Sequence, residues 1–287
     1  MLDNQQPKVS ASCWAVADAA TGQVIYGSRE HHRREVASIT KVMTCYVVCR
    51  LIREYKINAK STFIQVSNTA ACMGGTSARL QSGDVLTVWD LMHGLMLPSG
   101  NDAAMCLAES FGTFIYMQSD EYKQKLKRNP EFANFTKNRN GLRYFLNAMN
   151  KTAEELELLE TRYDNPHGLM CPTNRSTAAD IAKLSSKAMK FDEFREIVNR
   201  RTYRCVIEQV DQTERCVVWE NTNKLLDEGW EGIKTGITTA AGPCFTGFTR
   251  IEGQQYIVVV LGCETVNTRW VDCRLLAKWA HKNKCKF

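Results

Sequence analysis

Several features that would place this 287-residue chain at once are missing from it. The longest apolar run, Tyr256 to Leu261, is far shorter than the roughly 20 residues a helix needs to cross a bilayer. The first ten residues, MLDNQQPKVS, hold neither a basic segment nor an apolar one, so no signal peptide is expected there. No Cys-x-x-Cys occurs, which removes the zinc-ribbon and thioredoxin motifs. Basic residues (37) outnumber acidic ones (31) only slightly, with no long basic run, so a nucleic-acid partner is not expected. His31, His32, His93, His167 and His281 lack metal-ligand spacing, and neither a metal nor a cofactor is expected. Internal repeats, low-complexity segments and a linker long enough to separate independent domains are also absent.

What is present is an ordinary globular composition, 44% hydrophobic and 24% charged, with one oddity: 12 cysteines. An even count suits an oxidising compartment without proving one. Cys45 and Cys49 stand one helical turn apart in an apolar run and read as small buried hydrophobes. Cys205 and Cys216 flank a hairpin and are a candidate pair across it, although connectivity does not follow from sequence.

The periodicity predicts a β-hairpin from residues 12–18 and 23–27, then a helix from about Ser38 to Tyr55 that is apolar on nearly every face. Residues 62–200 read as mostly helical, with helices over 84–97, from Asn101 to about Phe111, and near 113–127, 140–158 and 176–189. Asn101 is placed to cap the second of these. Asn165-Pro166-His167-Gly168 reads as a turn. From 202 the period becomes two, predicting strands at 202–209, 215–220, 231–238, 243–251 and 255–262 before a last helix over 268–282. The expected class is therefore α/β, a sheet layer (about 12–62 and 200–287) interrupted by a helical subdomain (about 63–199). Together these form one catalytic unit, 12–287, behind an N-terminal tail, 1–11.

Three short motifs carry chemistry: Ser38-Ile-Thr-Lys41, Ser99-Gly100-Asn101 and Lys234-Thr235-Gly236. Chance gives about one Ser-x-x-Lys in a chain of this composition, but only about 0.05 Ser-Gly-Asn and about 0.09 Lys-Thr-Gly. Ser38 and Lys41 lie i and i+3 on one helix, so their side chains meet on one face. Ser38 falls at the helix start, where free N–H groups favour developing negative charge. A serine hydroxyl needs a neighbouring base, and a desolvated Lys41 near another cation can be one. Ser99 and Asn101 occupy a tight connection between helices, where a hydroxyl can relay a proton and an amide can bond both Lys41 and a substrate carbonyl. Lys234 and Thr235 can bind a carboxylate, Gly236 lets a substrate backbone lie against the strand, and the Ile237 N–H can join that of Ser38 in an oxyanion hole.

With these motifs on the page, the sequence resembles the low-molecular-mass penicillin-binding proteins that are serine-type D-alanyl-D-alanine carboxypeptidases. The likeness covers nearly the whole chain, from about Ser12 to Trp279. It extends to Leu95-Met-Leu-Pro-Ser-Gly-Asn-Asp-Ala-Ala104, Asn165-Pro-His-Gly-Leu169, Asn221-Thr-Asn-Lys-Leu-Leu226 and Ala241-Gly242. The resemblance implies Ser38 as acyl-enzyme nucleophile, Lys41 as general base, and Ser99 and Asn101 as proton relay and substrate amide contact. It implies Lys234, Thr235 and Arg269 as the terminal-carboxylate site. It also implies an antiparallel five-stranded sheet flanked by helices beside an all-helical subdomain, a monomer, and as ligands peptides ending in D-Ala-D-Ala and β-lactam antibiotics. The resemblance suggests an extracytoplasmic or secreted setting, while the second β-domain and C-terminal amphipathic anchor of many members are not expected.

The rival readings are a serine β-lactamase and a non-catalytic binding protein on the same fold. Class A β-lactamases deacylate with a Glu that precedes Lys-Thr-Gly, and the resemblance places it four positions before an Asn. Here Glu160 is followed four positions on by Asp164, and Thr161 stands four before Asn165. Slow deacylation of penicillin is therefore expected. The intact set of Ser38, Lys41, Ser99 and Lys234 argues against a dead site.

Overall fold

Alternation along the strands decides which sheet each joins. The computed structural model describes residues 5–129, 141–209 and 211–284. Among them the strands are β1 (Cys13–Asp18), β2 (Val24–Ser28), β3 (Phe63–Gln65), β4 (Val85–Thr87), β5 (Thr202–Glu208), β6 (Glu214–Glu220), β7 (Ile233–Gly236), β8 (Cys244–Ile251) and β9 (Gln254–Leu261). The five-stranded sheet has the order β2-β1-β9-β8-β7 and is antiparallel throughout. Its central strands are apolar on both faces, as a sheet covered on both sides requires. Trp14, Val16, Val258, Val260 and Phe245 pack with Trp270 and Leu276 of the terminal helix (Thr268–Lys284). Ala15, Ala17, Ile257, Val259 and Leu261 face the larger core around helix α1 (Thr40–Glu54). β7 is an edge strand, so its outer side is open to the rest of the molecule.

Helix α1 is buried from Thr40 to Cys49 and again at Leu51 and Ile52, as its all-round apolar sequence predicts. Around it stand α2 (Asn68–Ala71), α3 (Val88–Met96), α4 (Asn101–Gln118), α5 (Asp120–Arg128), α6 (Gly141–Glu155), α7 (Ala178–Ala188), α8 (Asp192–Val198) and the terminal helix, α9. The five-stranded antiparallel sheet matches the expectation, but the block inserted in it is not purely helical. β3, β4, β5 and β6 form a second sheet there. The hairpin β5–β6, expected in the main layer, belongs to this second sheet. Its residues alternate strictly, with only Cys205, Ile207, Val217 and Trp219 buried, which suits a sheet solvated on one face.

Other expectations are corrected for local reasons. Cys205 and Cys216 are both free: register pairs Cys205 with Val217 and Val206 with Cys216, so the thiols point to opposite faces. The helix expected from 84 begins at Val88, because Val85–Thr87 pairs with Phe63–Gln65 and Thr87 closes a capping box with Asp90. The helix begun at Asn101 runs on to Gln118, and Ser119 then caps α5, dividing the segment expected as one helix over 113–127. Asn101 is not a cap; Gly100 holds that position and the Asn101 side chain turns into the molecule. Cys45 and Cys49 are buried as expected.

Candidate active site

Ser38 lies in a single 3-10 turn, Ala37–Ile39, that runs straight into α1. Two glycines hold this turn from opposite sides. A Cβ on Gly168, whose φ is +84°, would sit 2.0 Å from the Ala37 carbonyl oxygen, and one on Gly236 would sit 3.1 Å from the Ser38 nitrogen. Gly236 therefore lacks a side chain because β7 presses against the nucleophile turn, a reason within the protein itself.

One turn further, Lys41 is fully buried. Its Nζ lies 2.9 Å from Ser38 Oγ and donates to Asn101 Oδ1 at 2.6 Å and to the His167 carbonyl at 2.7 Å. Burial, then the charge of Lys234, pushes the Lys41 ammonium well below the usual lysine range, against a smaller opposing pull from Asp102. In the neutral amine, two N–H groups satisfy the two carbonyls and the lone pair faces Ser38 Oγ.

Ser99 stands at φ +65°, a left-handed conformation uncommon for a side-chain-bearing residue. Its Oγ is buried and has no hydrogen-bond partner among the described residues. Asn101 opens α4, accepting from Lys41 while its Nδ2 donates to the Gly74 carbonyl at 2.7 Å. On β7, Lys234 is buried, and burial followed by the Arg269 charge lowers it to about 7. Thr235 Oγ1 is 2.6 Å from Thr222 Oγ1. Arg269, at the start of α9, reaches back to the Gly236 and Cys244 carbonyls at 3.4 Å each and stacks on Trp270.

These groups share one cleft of about 370 Å³, lined by Ser38, Ser99, Asn101, Thr235, Gly236, Ile237 and Arg269. The predicted residues outside that lining, Lys41 and Lys234, lie buried beneath it. Sequence reasoning missed three contributors. The turn at 165–169 supplies the His167 carbonyl to Lys41 and the Pro166 carbonyl to Thr44 Oγ1. The rim at Gly75 and Thr76 covers Asn101, and Thr222 orients the Thr235 hydroxyl. Backbone carbonyls leave no mark in residue type; only the Asn-Pro-His-Gly turn and Gly74-Gly75 were visible signals. His93 is a buried core residue, its Nδ1 2.8 Å from the Trp89 carbonyl and its ring stacked on Tyr203. Among the described residues no cluster of His, Cys, Asp or Glu suits a metal ion, and no helix is long and apolar enough to cross a membrane.

Among solved structures, the Streptomyces K15 DD-transpeptidase superposes with a TM-score of 0.82 at 27% identity, covering 97% of this chain and 99% of its own. The D-alanyl-D-alanine carboxypeptidase DacD of Francisella tularensis shares the fold, with a TM-score of 0.79 at 23% identity over 97% of this chain and 72% of its own. The fold is thus of the DD-peptidase class. The D-alanyl-D-alanine carboxypeptidase DacD of Escherichia coli is 29% identical over 97% of the chain, and DacF of Bacillus subtilis is 30% identical over 87%. The chain spans 65% of the length of the first and 56% of the second. The profile of peptidase family S11, D-alanyl-D-alanine carboxypeptidase, matches residues 2–142 and 136–265, and the chain belongs to that family.

Proposed function

We propose that this protein is an active-serine carboxypeptidase that removes the C-terminal D-Ala from peptides ending in D-Ala-D-Ala, and that β-lactams acylate the same serine. The observation that carries this reading is the buried Lys41 amine held between Ser38 Oγ and two carbonyl acceptors. Lys41, neutral by desolvation, takes the Ser38 proton as Oγ attacks the penultimate carbonyl carbon. The Ser38 and Ile237 N–H groups receive the oxyanion. Ser99 then relays the proton taken up by Lys41 to the departing D-Ala nitrogen as the C–N bond breaks, which returns both groups to their starting protonation. Water hydrolyses the acyl-serine, which restores the hydroxyl. Lys234, Thr235 and Arg269 provide the cations and hydroxyl for the substrate's terminal carboxylate. Asn101 supports both Lys41 and the substrate amide.

The balance between peptidase and β-lactamase rests on deacylation. No carboxylate is among the described residues that line the cleft, and Glu160 pairs with Arg33 at the surface. The penicilloyl ester is therefore expected to persist. Incubation of the protein and of Ser38→Ala with a fluorescent penicillin and with a diacetyl-lysyl-D-Ala-D-Ala peptide tests this. Stable, Ser38-dependent labelling with D-Ala release is the expected result. Rapid penicillin turnover without an adduct would indicate a β-lactamase, and neither label nor release a binding protein.

A further inference from the structure

One buried carboxylate beside the site has no role in the chemistry above. Asp102, in the first turn of α4, is 1% exposed and makes no salt bridge among the described residues. Its two oxygens are instead filled by four neutral donors. Oδ1 accepts from the Ala78 and Ala103 N–H groups at 2.9 and 2.8 Å, and Oδ2 from Ser77 Oγ and the Leu80 N–H at 2.6 and 3.1 Å. Charge-assisted bonds of this kind are about twice as strong as neutral ones. They fasten residues 77–80 to the start of α4, across the connection that carries Ser99 and Asn101.

The residues just before that anchored stretch form the cleft rim, and the rim grips both site residues. Thr76 Oγ1 donates to the Ser99 carbonyl at 2.6 Å, the Asn101 N–H to the Thr76 carbonyl at 2.8 Å, and Asn101 Nδ2 to the Gly74 carbonyl. Ser99 needs such a grip. Among the described residues its hydroxyl has no hydrogen-bond partner, and its backbone sits in a left-handed conformation, so bonds to its main chain set where that hydroxyl points. Asp102 also explains Gly100, where a Cβ would lie 2.5 Å from Asp102 Oδ1.

We propose that Asp102 is a positioning residue of this site, anchoring the 74–80 segment so that it holds Ser99 and Asn101 in place over Lys41. The inference rests on the acyl-serine reading. Asp102 has a second, electrostatic hold on the same place. Lys41 is faced by Lys234 from β7, by Asp102 from α4 and by His167 from the 165–169 turn, whose ring burial and the Lys41 charge keep at a pKa of about 4. Of these, Asp102 favours the Lys41 cation. Removing its charge therefore lowers the pH at which Lys41 becomes a base.

The test is the rate constant for penicillin acylation of Ser38 across pH, in wild type, Asp102→Asn and Ser67→Ala. The last variant removes the cap of α2 and the Ser67–Glu109 hydrogen bond, leaves every partner of Asp102 in place, and serves as a destabilised control. Asp102→Asn is expected to acylate about 10-fold or more slowly, since misplacing a reacting group by ~1 Å costs up to about 100-fold. Its acid limb is expected to move to lower pH while full labelling is still reached. Ser67→Ala is expected to lower the Tm and change neither the rate constant nor the limb. Should Asp102→Asn not fold, Thr76→Val tests the grip alone, with slowed acylation that Thr76→Ser restores. A wild-type rate constant and limb in Asp102→Asn would overturn the inference, as would reduced labelling stoichiometry at an unchanged rate constant. If Thr76→Val is the variant read, acylation at the wild-type rate would overturn it equally. Absence of Ser38-dependent labelling in the wild type would instead remove the acyl-serine reading itself.

Discussion

At the scale of single residues the site is governed by desolvation. Three cationic side chains, Lys41, Lys234 and Arg269, are buried around one cleft, and no carboxylate is among the described residues lining it. Burial pushes all three below their ordinary ranges; the charge of Lys234 lowers Lys41 further, and that of Arg269 helps to bring Lys234 to about 7. That arrangement leaves Lys41 able to accept a proton and leaves an unneutralised positive end for a ligand carboxylate. It also fixes the sign of a stability effect. Because the folded pKa of Lys234 lies below its ordinary value near 10.5, the unfolded chain holds that proton between about pH 7 and 10.5 and the folded chain does not. Stability from this site therefore rises with pH across that window. Urea denaturation at pH 7 and pH 9.5 should show wild type gaining on Lys234→Met as pH rises. A difference that stays constant would mean that Lys234 titrates at its ordinary value.

At the scale of elements, the site exists because four segments meet at one 3-10 turn. α1 presents Lys41, β7 presents its open edge, the start of α4 presents Asn101, and the 165–169 turn closes the back. Gly168 is the most constrained contact among them. Gly168→Ala would add a Cβ within 2.0 Å of the Ala37 carbonyl in a left-handed conformation that itself costs about 1–2 kcal/mol. The turn carrying Ser38 must shift. A fall in Tm together with at least about 10-fold slower penicillin labelling is expected; labelling at the wild-type rate would show that the 165–169 turn does not set the nucleophile. The second sheet joins this arrangement through Trp219, whose indole donates to the Ala78 carbonyl at 2.9 Å and packs close to Gly94. The 74–80 rim is thus held from below by β6 and from the side by Asp102.

At the scale of the whole molecule, most of the described cysteines are packing residues. The eleven described cysteines are all free, and eight of them are buried. Burial pushes the Cys106, Cys205, Cys244, Cys263 and Cys273 thiols up, and Cys244 reaches about 11. Such thiols react slowly. Cys171 differs: hydrogen bonds from Thr173 hold its thiol below the usual range, and it is partly exposed. In a Cys285→Ser background, a thiol reagent should titrate Cys72, Cys171 and Cys216 quickly, Cys171 fastest, and the other eight only on unfolding. Loss of the eight slow thiols from the denatured count would indicate disulfides that this structure does not contain.

What the sequence by itself determined was chemistry with a local signature. Ser38 and Lys41 are set together by helical periodicity, and the all-round apolar α1 had to be buried. Lys-Thr-Gly marked a strand, and the strictly alternating 202–220 segment already carried the mark of a half-solvated hairpin. Tertiary structure alone decided what depends on residues far apart in the chain. It moved that hairpin into a second sheet, gave the cap of α4 to Gly100 rather than Asn101, and placed Cys205 and Cys216 on opposite faces. It also supplied the groups that residue type does not reveal: the His167 carbonyl, the rim at 74–76 and the buried Asp102. Backbone carbonyls and positive-φ glycines act through where they are rather than what they are, so their part in this site became visible only when the segments were brought together.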